Sequence, residues 1–110
     1  MRLREVAERL GLEFLVAADP EAEVRGGYVS DLLSDVLAHA EAGDLWITHQ
    51  RHLNVVAVAK LRGVAGVVFA RGLRPGPETL QRAQHEGVNL LTSPADAFDT
   101  AGRLHRLLAP

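Results

Sequence analysis

The chain has 110 residues, 47% of them hydrophobic, with 12 Lys and Arg set against 14 Asp and Glu and no cysteine. Zero cysteines exclude disulfides, thiolate metal sites and a cysteine nucleophile together, and fit a reducing compartment. A formal charge of −2 offers no general attraction to nucleic acid or to an anionic membrane.

The opening MRLREVAERLGLEFLV scatters charges through what would have to be an apolar signal core. No stretch approaches the roughly 20 apolar residues that span a bilayer. A soluble, cytoplasmic, single domain covering 1–110 is therefore expected, with no membrane partner.

Taken in chain order, four segments have helical spacing and each is followed by a glycine suited to a left-handed C-cap. They are Leu3–Leu10 before Gly11, Asp31–Ala40 before Gly43, Leu53–Arg62 before Gly63, and Glu78–Glu86 before Gly87. Short strand-like runs follow each glycine: Glu13–Val16, Leu45–Thr48, Gly66–Ala70 and Val88–Leu91. The run VRGGYVS leads into DLLSDVLAHA without a geometry that the sequence fixes. In the last unit Ser93 is read as N-cap, with Pro94 at the first helical position and Asp96 at the third.

From Gly43 onward the pattern is three strand–loop–helix units. Their strands are continuous apolar runs, as in a parallel sheet covered on both faces. The expected fold class is α/β: a small, mainly parallel sheet with helices on both faces, a three-layer sandwich of repeated βα units. The Leu53–Leu61 segment is apolar nearly all round, through Val55, Val58 and Ala59 beside Leu53, Val56 and Ala57. Such a helix is either buried or covered by another subunit, and a homodimer contact is the expectation.

Repeated right-handed βα units bring all their strand C-termini to one edge, where ligands bind. Three polar loops converge there, giving a candidate ligand set of Thr48, His49, Arg51, His52, Asn54, Arg71, Arg74, Thr92 and Ser93. Each loop opens a helix whose free N–H groups favour an anion, so a nucleotide or phosphate compound is the natural ligand. The bland alternative is that these side chains are only solvated.

Other chemistry lacks its parts. His49 and His52 form H-x-x-H, but the third ligand and base of a zinc motif are missing. Asp31, Asp35 and His39 at i, i+4 and i+8 read as the solvated face of a helix opposite Leu32, Leu33, Val36 and Leu37. Neither glycine pair matches a phosphate-binding loop, and Lys60 is the only lysine. Ser30, Ser34 and Ser93 sit at helix starts or faces without a nucleophile elbow. LREVAERLGLEF looks like the first helix of a helix-turn-helix, but acidic Asp19-Pro20-Glu21-Ala22-Glu23 follows where a recognition helix belongs. No nucleic-acid partner, metal, cofactor or catalytic residue is expected.

The succession GGYVSDLLSDVLAHA, GDLWIT, HLNVVAVA and AGVVFARGLRPGPETLQRAQHEGVNLLTSPADAFDTAGRL resembles the DRTGG domain family, from about Leu3 to Leu107. Members stand beside CBS domains and in some phosphate acetyltransferases, and are similar in fold to the N-terminal domain of HPr kinase/phosphorylase. The resemblance implies an α/β sandwich, dimerisation, and a role in sensing a ligand or binding a protein partner. The chain departs from the family's name, since no D-R-T-G-G string occurs. If THQRHLN matches the family's ligand-facing turn, its Asp is lost while Thr48 and Arg51 remain.

The leading expectation is thus a non-catalytic regulatory domain that senses a small anionic ligand as a homodimer. One alternative is a small enzyme on a phosphorylated metabolite, with His49 or His52 as acid/base. The other is a structural adaptor docking through the Leu53–Leu61 helix.

Overall fold

The computed structural model describes every residue from Met1 to Pro110. Its elements in order are α1 (Leu3–Leu10), β1 (Glu13–Val16), β2 (Gly26–Val29), α2 (Leu33–His39), β3 (Asp44–Thr48), α3 (Asn54–Arg62), β4 (Gly66–Phe69), α4 (Pro77–Glu86), β5 (Leu90–Thr92) and α5 (Ala97–Leu108). The strands form one sheet in the order β1-β5-β4-β3-β2. Strands β2 to β5 run parallel, and β1 closes one side antiparallel to β5.

Continuous apolar strands are explained by burial on both faces. Trp46, Val67, Phe69 and Leu90 meet α2, α3 and α4 on one side. Their neighbours Leu45, Ile47, Val68 and Leu91 meet α1 and α5 on the other. The result is the expected three-layer α/β sandwich. No helix is long and apolar enough to cross a membrane.

Three expectations are corrected and one open point is filled. The segment VRGGYVS, whose geometry the sequence does not fix, supplies β2, a parallel edge strand. Helix α2 starts at Leu33, so Asp31 lies in the β2–α2 turn and only Asp35 and His39 share the helical stripe. Gly11, Gly63 and Gly87 do cap α1, α3 and α4 in left-handed conformation, but α2 ends at Ala40 and Gly43 serves the turn beyond it. Finally, α5 is capped by Asp96, whose carboxylate accepts the Asp99 N–H at 2.8 Å. Ser93 stays at the buried strand end because its N–H is already bonded to the Phe69 carbonyl. Asp96→Ala is therefore expected to cost about 1 kcal/mol, measured by denaturant unfolding, with no loss of the β5 strand end.

Helix α3 is the middle helix of its layer, packed between α2 and α4. Val55, Val56, Val58 and Ala59 are buried by this arrangement and by the sheet. Most of its apolar residues are thereby used within the fold, while Ala57 and Leu61 stand exposed.

Candidate functional site

The C-termini of β2, β3, β4 and β5 share one edge of the sheet, and their loops form a hydrogen-bonded rim there. Asp31 links the first two loops. Its Oδ1 accepts the Thr48 hydroxyl at 2.8 Å and the His49 N–H at 2.6 Å, and its Oδ2 lies 3.1 Å from His49 Nδ1. The Thr48 hydroxyl in turn accepts the Gln50 N–H at 3.0 Å. Burial alone would raise the Asp31 carboxyl, but the His49 N–H, the Thr48 hydroxyl and the His49 ring outweigh it and hold the group below the usual carboxylate range.

The same edge carries a second carboxylate. Asp35 accepts the Tyr28 hydroxyl at 2.8 Å, which lowers the Asp35 pKa and raises that of Tyr28. Behind both, the Trp46 indole donates to the Ser30 carbonyl at 2.8 Å and so fixes the start of the β2–α2 turn.

The remaining loops are tied in the same manner. Thr79 Oγ1 of α4 donates to the Arg51 carbonyl at 3.3 Å. In the β4–α4 loop, Arg71 N–H reaches Ala95 and Gly72 N–H reaches Ser93, at 2.8 and 2.6 Å. Arg71 occupies the left-handed region with φ 57°, a conformation that disfavours a side chain.

The nine residues singled out in sequence divide into two groups. Thr48, Thr92 and Ser93 are buried with their hydroxyls bonded inward: Thr92 to Leu73 and Phe69 carbonyls, Ser93 to Thr100. They build the rim and do not face solvent. Arg74 forms an ion pair with Glu13 of β1 at 2.5 Å, at the far end of the sheet. His52 Nδ1 accepts the Asn54 N–H at 3.0 Å and thereby caps α3. Exposed Arg51 and Arg71 make no salt bridge. The solvent-facing cations of the rim thus come down to Arg51 and Arg71, with the His52 and His49 imidazoles beside them.

Two helix starts at the rim carry side-chain acceptors: His52 Nδ1 takes the Asn54 N–H of α3 and Asp96 takes the Asp99 N–H of α5. At α4, which opens on Gly76 and Pro77, no side chain caps the first turn. Asp31 was the residue missed. Its signal was the pair Ser30-Asp31 directly after an apolar stretch, concealed because GGYV does not read as a strand. No three of the His, Asp and Glu side chains converge on a point that suits a metal. No serine or threonine hydroxyl lies free beside His49 or His52 as a nucleophile would.

On the opposite face of the sheet a groove of about 640 Å³ runs between the edge strand β2 and the end of α5. Gly27 forms its floor, where a Cβ would lie 2.9 Å from Leu104. Val29, Leu104 and Leu108 line it, with Arg25 and His105 at its margins.

A mostly parallel five-stranded sheet between two helical layers defines the class: a small three-layer α/β domain with its loop rim at the strand C-termini. The DRTGG domain model matches residues 5–107, and the chain belongs to that family. Among solved structures, the CBS and DRTGG domains of the regulatory region of Clostridium perfringens pyrophosphatase, complexed with the activator diadenosine tetraphosphate, share the fold. The TM-score is 0.70 at 19% identity, over 99% of this chain and 47% of that one. No curated protein matches.

Proposed function

We propose that this chain is a cytoplasmic, non-catalytic regulatory domain that senses a small anionic ligand as a homodimer. The observation that carries the reading is the rim itself: exposed Arg51 and Arg71, with the His52 imidazole beside them, on a frame of buried, hydrogen-bonded hydroxyls tied together by the Asp31 carboxylate. Rigid placement of a few unpaired cationic groups is what a phosphate-bearing ligand needs, because ordering them at the moment of binding would cost affinity. Thr48, Thr92, Ser93, Asn54 and His49 serve as the frame, and Arg74 lies outside it. Family membership supports a regulatory role. The pyrophosphatase region of the same fold, whose chain is about twice as long, is complexed with a nucleotide activator.

A screen of nucleotides and phosphometabolites by thermal shift tests the proposal. A ligand at about 100 times its Kd adds roughly 2.7 kcal/mol of stability. If no anion raises Tm, the sensing reading fails. Arg71→Gly sharpens the test, since glycine suits the left-handed backbone at this position. Its stability without ligand is expected to stay within about 1 kcal/mol of the parent, while the ligand-induced shift is reduced. An unchanged ligand shift would remove Arg71 from the site.

The enzymatic alternative keeps one favourable feature, the Asp31–His49 pair, which would orient an imidazole as an acid/base. Turnover abolished by His49→Ala, with affinity retained, would favour it.

A further inference from the structure

We infer that two copies of this chain associate edge to edge through β2, antiparallel about a twofold axis passing beside Tyr28. This rests on the dimeric part of the reading above and assigns the surface. Of the five well-exposed large apolar side chains, Val29, Leu32 and Leu37 all belong to β2 and the α2 unit that follows it. Helix α2 is the end helix of its layer, with α3 on one side only. Strand β2 pairs with β3 alone, so its other side presents unpaired backbone groups, the usual template for another strand.

The alternation of the strand fixes the pairing. Arg25 N–H bonds inward to the Gly43 carbonyl, so the backbone groups of Gly26 and Tyr28 point outward. A twofold axis normal to the sheet keeps α5 on the same face in both copies, which requires residues opposite each other to share parity. Centring on Tyr28 satisfies both conditions: the two Tyr28 residues exchange N–H···O=C bonds.

Side chains then match without adjustment. Val29, 52% exposed, falls opposite Gly27 of the other copy and enters the glycine-floored groove against Leu104. Arg25, exposed and without a salt bridge, comes beside Asp31 of the other copy. The Asp31 side chain is 57% exposed despite its bonds to the rim, leaving room for that second partner. The surface is self-complementary in shape and in charge, as an isologous interface must be.

Sedimentation across a concentration series tests this on the full chain, with circular dichroism confirming that each variant folds. The parent is expected to be a dimer. Arg25→Asp and Asp31→Arg each place like charges together and weaken the dimer by about tenfold or more. Mixed in equal amounts they restore both contacts, so a heterodimer of near-parental Kd is expected. Because the chain contains no cysteine, Tyr28→Cys supplies an independent measurement: opposite Cα atoms roughly 5.5 Å apart should oxidise to a covalent dimer. A dimer that survives Arg25→Asp with unchanged Kd, or that dissociates with Leu61→Asp instead, overturns the β2 interface while leaving dimerisation intact. A monomeric parent overturns both. Neither result bears on anion binding, which the thermal shifts decide separately.

Discussion

Trp46→Ala is expected to produce the largest loss of stability of any single substitution on the sheet, about 3–5 kcal/mol by denaturant unfolding. Trp46 is fully buried at the centre of β3 and packs in the cluster shared by α2, α3 and α4. Truncation leaves a cavity where sheet and helices cannot close together, since β3 is held on both sides by β2 and β4. Against a whole-domain stability of roughly 5–15 kcal/mol, such a loss approaches unfolding. The corresponding fall in Tm is roughly 15 °C or more for a domain of this size. Trp46→Phe separates packing from hydrogen bonding. It retains most of the apolar volume but leaves the Ser30 carbonyl without its indole partner, at a cost of about 1–3 kcal/mol. The Phe variant should therefore fold, yet hold the Ser30–Asp31 turn less firmly, measurable as faster amide exchange at His49. Equal stability of parent and Ala variant would mean that β3 is not the core strand.

The legibility of this fold in the sequence followed the strength of its local physics. Strands β3 and β4 were readable because burial on both faces demands unbroken apolar runs, and LWI and VVF supply them. Helix ends were readable where a glycine must turn left-handed, at Gly11, Gly63 and Gly87. Strand β2 was not, because an edge strand with two glycines and alternating exposure has neither a continuous run nor apolar periodicity. Its loss concealed the turn that carries Asp31, so a residue joining two loops was assigned to a helical stripe. Ser93 fitted a capping pattern with Pro94, but the tertiary bond from its N–H to Phe69 extended the strand edge through it. The polar loops were identified correctly as the sheet's C-terminal edge. Which of their hydroxyls turn inward depends on neighbours distant in sequence, such as Thr100 for Ser93 and Leu73 for Thr92.

Asp31→Ala is expected to cost about 1–3 kcal/mol at neutral pH, because a charged acceptor serving several donors is removed at once. The lower part of that range is favoured by the exposure of the side chain, since solvent screens whatever the charge contributes. The pH dependence discriminates this from a simple packing defect. The folded carboxyl titrates below its unfolded value, so its stabilisation is full above the ordinary carboxylate range and is lost as pH falls through the folded pKa. The stability difference between parent and Asp31→Ala should therefore be largest near neutrality and shrink below about pH 4. Asp31→Asn retains an oxygen for the His49 N–H and should lose less, with a difference that likewise narrows in acid. A gap that stays constant with pH would mean that the ionised carboxylate is not what joins the two loops. Should the gap close as expected, the rim is held together by charge-assisted bonds at its β2 end. Its geometry, and with it the placement of His49 and Arg51, would then loosen in acid before the core does.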